Sequence, residues 1–238
     1  MTYKEVYNQV MPEKKRREER FNIFAHWVGR PISILMTLPL INTKIKPTTI
    51  TKISIVFVII GFILISFGTS ILIKVIGWVC FLIWNLLDGV DGNLARCTNR
   101  CSLMGDLWDT TAGYIAMILT YFSASISGFF DISRVILIND YWILILGGAT
   151  AVMSIFPRLV MHKKKSSDIN DIGVKKLSDK QNFGLKNIIA MNFISPSGLM
   201  QIFFLICIIY HLLNLFVIFY FLVNLFIMFF SLYQLLKE

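Results

Sequence analysis

Charged residues are scarce in this chain: they make up 16% of its 238 residues, against about a quarter in an ordinary soluble domain. That shortage excludes a domain that meets water over most of its surface. Histidine is also rare, and His26, His162 and His211 stand far apart with no Ser or Cys at motif spacing, so nucleophilic catalysis by a triad has no support. The four cysteines suggest no disulfide framework: Cys80 and Cys207 sit inside apolar runs, while Cys97 and Cys101 flank a basic loop assigned below to the cytosol. Cys97 and Cys101 lack the second thiol pair or the histidines of a zinc site. An early hydrophobic run is missing too. The first one long enough to insert starts near Ile53, after a polar and charged beginning, so no cleavable signal peptide is expected.

What is present is hydrocarbon. Hydrophobic residues form 56% of the sequence, in runs long enough to cross about 30 Å of bilayer, which takes roughly 20 helical residues. Six spans are expected, near Thr49–Phe67, Ile71–Ala95, Gly105–Phe129, Tyr141–Met161, Ser197–His211 and Leu213–Leu235. Before them, Phe21, Ile23, Phe24, Trp27 and Val28 recur at spacings of three and four behind a charged stretch, the pattern of an amphipathic surface helix. The expected fold is therefore all-α, a polytopic membrane helical bundle. Residues 1–46 form a cytosolic amphipathic and juxtamembrane segment, and residues 47–238 a six-helix transmembrane domain.

The net charge of +9 is explained by orientation and by attraction to anionic membrane lipids, and no nucleic acid is expected as a partner. Lys and Arg crowd the N-terminus, the segment around Arg96 and Arg100, residues 162–186 and the end at Lys237. By the positive-inside rule both termini and the connection after the second span face the cytosol. A bacterial or archaeal plasma membrane is the expected location. Arg158 and Lys163–Lys165 close the fourth span, anchoring it or receiving an anionic acceptor.

Three carboxylates interrupt this apolar pattern. Asp88 and Asp91 fall in the second span, with Gly92, Ala95 and Arg96 following on the same side of a helix. In the third span Gly105, Asp106, Asp109 and Gly113 recur along one stripe. Charges at this depth cost several kcal/mol unless paired, hydrated or coordinated. A short polar loop joins the two spans, so an antiparallel pair brings Asp109 across from Asp88 and Asp91. Oxygen-only ligands suit hard cations such as Mg2+ or Mn2+. The plainer alternative is that the acids pair with Arg96, Arg100 or Lys74 to hold the bundle in register.

The spacing Asp88, Asp91-Gly92, Ala95-Arg96, Gly105, Asp109 resembles the signature of the CDP-alcohol phosphotransferases (CDP-alcohol phosphatidyltransferases). Arg30-Pro31 and the Pro47–Thr51 approach to the first span resemble the family less specifically. The resemblance implies a membrane enzyme, often a homodimer, that takes a CDP-linked donor and a lipid or alcohol acceptor and releases CMP. It implies metal ligands at Asp88, Asp91 and Asp109, with Gly92, Ala95, Arg96 and Gly105 around the nucleotide. The family pattern ends on a fourth Asp resembling a general base, and here that position is Gly113. Four explanations stand open: an introduced substitution, natural loss of catalysis, another base, or activation of the acceptor by the metal. Asp106 is a weak substitute, since it lies seven residues before Gly113, about 10 Å along a helix. Gly113 thus divides an active transferase from a silent membrane protein that keeps CDP and metal binding as a scaffold or regulator. An ion channel or transporter fits less well, because the acids gather at one end of the spans.

Overall fold

The computed structural model describes residues 1–13, 15–16, 22–131, 140–166, 192 and 198–236. Among them the regular structure is helical, without strands. Two short helices come first, α1 (Tyr3–Val10) and α2 (Arg30–Thr37), the second entered through a π-helical turn at Ala25–Gly29 and followed by a 3-10 turn at Leu38–Leu40. Long helices follow: α3 (Pro47–Phe67), α4 (Ile71–Cys97), α5 (Leu103–Phe130), α6 (Asp140–Ser166) and, after a shorter α7 (Leu199–Ile209), α8 (Leu213–Leu236). α3, α4, α5, α6 and α8 are long and apolar enough to cross a membrane. α7 has 11 residues, about 16 Å of rise. The expected fifth span, Ser197–His211, is therefore seen as this short apolar helix, and its start at residue 197 lies outside the described residues.

The N-terminal segment departs from the expectation of one surface helix. Pro31 stands in the first turn of α2, Pro39 in the 3-10 turn and Pro47 at the start of α3, because proline lacks the N–H that a helix interior needs. α1 is closed by a capping box between Thr2 and Glu5, and it buries Val6 and Val10 with Met11 against Ile34 of α2. Of the expected apolar side, Trp27 and Ile23 are exposed, Phe24 is buried and Phe21 lies outside the described residues.

α3 packs against both α4 and α5, which barely touch each other, while α5, α6 and α8 form a packed trio and α7 lies against α4 and α8. α3 and α4 approach closely where Gly61 meets Gly77: a Cβ on Gly61 would lie 2.8 Å from the Gly77 carbonyl oxygen, so only hydrogen fits there. The main core gathers Phe81, Trp84, Tyr121, Phe204, Phe216 and Tyr220. Some polar groups inside it are bonded, which offsets their burial: Asn224 Nδ2 donates to Tyr121 Oη (3.2 Å) and to the Tyr220 carbonyl (2.8 Å), and Trp78 Nε1 donates to the Gln201 carbonyl (2.8 Å). At the end of the bundle away from the acids, His211 Nδ1 lies 2.8 Å from Asp131 Oδ2.

Candidate active site

The site is made where α4 ends and α5 begins. Asn99, at φ 53°, turns the chain after α4, a conformation asparagine tolerates. Ser102 then caps α5 by accepting from the Gly105 N–H at 3.0 Å. The short turn returns the chain so that α5, like α4, packs on α3, and the last turns of α4 and the first turns of α5 line opposite parts of one cleft. The first turn of α3 closes the third side.

Between them lies a cleft of about 200 Å³ lined by Pro47, Thr48 and Thr51 of α3, by Asp91, Gly92, Ala95 and Arg96 of α4, and by Gly105, Asp106 and Asp109 of α5. Arg100, Cys101 and Ser102 of the turn complete the wall. Asp91 is 4% exposed, and its carboxylate accepts a short hydrogen bond from Thr51 Oγ1. Asp106 and Asp109 are exposed. Arg96 donates from Nη2 to Asn93 Oδ1 at 3.3 Å and folds back over its own helix: a Cβ at Gly92 would lie 3.1 Å from that same nitrogen. Gly92 thus gives room to the guanidinium as well as to whatever enters the cleft.

Asp88 faces differently. It lines a neighbouring cavity of about 70 Å³ with Arg30, Ser33, Asn85 and Gly89, while its carboxyl lies within hydrogen-bonding reach of Asp109. The expectation that Asp88, Asp91, Gly92 and Ala95 look into one space is corrected accordingly: Asp91, Gly92 and Ala95 share the cleft, and Asp88 reaches it through Asp109. Asp91 is near enough to both acids, and Arg96 to Asp91 and Asp109, for their charges to act on one another. Among the described residues no three acidic, histidine or cysteine side chains form a ready metal cage. The donors nonetheless suit a divalent ion. They are all oxygen, and three acids side by side need positive charge that the nearby arginines share with other partners.

Gly113 lies one turn beyond Asp109 and outside the cleft wall, and nothing stands within 4 Å of a Cβ placed on it. Arg158 belongs to another cavity, of about 150 Å³, with Met117, Ser154, Pro157 and Asn224. The four cysteines are free thiols. Sequence reasoning gave no role to Thr51, which holds Asp91, or to Arg30, which faces Asp88. Their signals were a threonine about one turn into the first span and the Arg30-Pro31 pair.

A bundle of five membrane-length apolar helices, with polar residues converging on a cleft at one end, is that of an integral membrane protein. The family model for CDP-alcohol phosphatidyltransferase matches residues 44–233, and the chain belongs to that family. It is a family of transferases that carry out CDP-alcohol phosphotransfer in lipid synthesis. No curated protein is significantly similar to the chain.

Proposed function

We propose that the cleft binds a CDP-linked donor together with Mg2+ or Mn2+, and that the protein transfers the phospho-alcohol group to an acceptor hydroxyl with release of CMP. The observation that carries this reading is the convergence of Asp91, Asp106, Asp109 and Arg96 on one cleft, with Asp88 in reach of Asp109. In the transfer, a bond forms between the acceptor oxygen and the phosphorus next to the alcohol, the bond from that phosphorus to CMP breaks, and the hydroxyl proton passes to solvent water. Asp88, Asp91 and Asp109 would hold the ion. When bound, it supplies positive charge to the pyrophosphate and the departing CMP.

The chain's own residues do the rest. Arg96 offers a planar cation to a phosphate, while Gly92 and Ala95 leave the wall low enough for the cytidine. Thr51 keeps the Asp91 carboxylate oriented through its hydroxyl. Gly113 offers no proton acceptor, so turnover in this chain is impaired or absent, and Asp106 is too far along the helix to take over directly. That same glycine favours a second reading, in which the protein keeps CDP and metal binding as a scaffold or regulator without turnover.

The finer architecture belongs to the same proposal. A six-span domain over residues 47–238 follows a cytosolic segment, both termini and the cleft face the cytosol of a bacterial or archaeal cell, and two copies pair. The exposed Phe226, Phe229 and Phe230 of α8 offer a face for a second copy or for lipid. Calorimetric titration of the purified chain with CMP tests the binding site itself. Binding should require Mg2+ or Mn2+ and vanish in chelator and in Asp91→Asn. Metal-independent binding, or none, would remove the proposal.

A further inference from the structure

Lys52 follows Thr51 on α3, and its ammonium lies 4.8 Å from the centroid of the Trp108 ring on α5. The pair stands just outside the cleft wall, beside Thr48 and Thr51 on one helix and Gly105 and Asp109 on the other. Lys52 is exposed, and among the described residues no carboxylate pairs with it. From this point the outer side of α3 continues as Ile53, Val56, Ile59, Ile60 and Ile63, all exposed, an apolar strip about 15 Å long. A cation at the head of such a strip, on the lip of a phosphate-sized cleft, matches a molecule with an anionic head and a hydrocarbon tail. An exposed ammonium–ring contact is weak enough to be exchanged for a phosphate, and the flexible lysine stem allows the movement.

We infer that Lys52, held ready on Trp108, is a positioning residue that receives the phosphate next to the alcohol of a lipid-linked donor, whose acyl chains lie along the α3 strip. The inference rests on the CDP-donor reading and deepens it: the lipid belongs to the donor, because the cation and the apolar strip are continuous on α3 and so fit a phosphate and a hydrocarbon tail on one molecule. A lysine that only anchors the helix end at the membrane surface would not distinguish one nucleotide from another.

The test compares the full-length protein with Lys52→Gln and Lys52→Arg in lipid nanodiscs containing Mg2+, titrated with CDP-diacylglycerol and with CMP, which lacks the second phosphate and the lipid. Lys52→Gln should weaken CDP-diacylglycerol on the order of tenfold, the size of one charge-assisted hydrogen bond, and leave CMP within twofold. Lys52→Arg should restore most of the loss. Equal weakening of both ligands, or of neither, overturns the inference while leaving the nucleotide site standing. Failure of the unmodified chain to bind CMP removes the donor reading and the inference with it. A third arm adds phosphatidylglycerol to the discs. If it displaces CDP-diacylglycerol from the unmodified chain and not from Lys52→Gln, the lysine takes ordinary anionic lipid and the inference fails.

Discussion

Replacing Gly113 by aspartate tests whether this chain is a transferase that lacks one group. The site accepts the change: a Cβ there meets nothing within 4 Å, and Gly and Asp differ by only a few tenths of a kcal/mol in helix preference. A carboxylate at 113 stands one turn, about 6 Å, beyond Asp109, on the side of α5 that carries Gly105, Asp106 and Asp109. A positioned general base contributes roughly 10²- to 10⁴-fold, which is about 3–5 kcal/mol of barrier. The assay is CMP release in proteoliposomes supplied with Mg2+, CDP-diacylglycerol and a panel of small polyols and their phosphates. Gly113→Asp should exceed the unmodified chain by at least a hundredfold, and Gly113→Asn, which has the same shape but takes no proton, should not. Equal rates for the Asp and Asn variants, or no gain from either, would refute the reasoning that a missing base limits turnover.

Further outcomes follow from the same geometry. Arg96→Lys keeps the charge but loses the planar fork over Gly92, so CMP binding in Mg2+ should weaken by about 1.5–3 kcal/mol, roughly ten- to a hundredfold by calorimetry. Gly61→Leu forces apart α3 and α4 where the backbones touch. It should destabilise the bundle by at least about 1–3 kcal/mol, read as a lower detergent melting temperature.

Much of the bundle was legible because long apolar runs leave a lipid-embedded chain few alternatives to helix. The spans expected at Thr49–Phe67, Ile71–Ala95, Gly105–Phe129 and Leu213–Leu235 match α3, α4, α5 and α8 to within two residues at each end. The N-terminal pieces were harder to read. Val6 and Val10 turn inward onto Ile34, a tertiary choice that the local mixture of charge and aromatic residues does not reveal. In the site, the spacing of Asp88, Asp91 and Asp109 placed them at one level of two adjoining helices. How each helix is rotated about its axis decides which cavity each acid enters, and that rotation comes from packing over the whole bundle. Thr51 and Asp91 are 40 positions apart, and Arg30 and Asp88 are 58 apart. Such contacts carry no periodic signal. Gly92 was legible as a small residue in the wall, whereas the return of Arg96 over it required coordinates.

The central claim, that Asp88, Asp91 and Asp109 hold a divalent ion inside a CDP site, is most directly tested by a structure of the protein with CMP and Mn2+. The account predicts anomalous density for manganese among those three carboxylates, with the cytidine against Gly92 and Ala95. Nucleotide bound elsewhere, or bound in the cleft with no manganese at the acids, would contradict it.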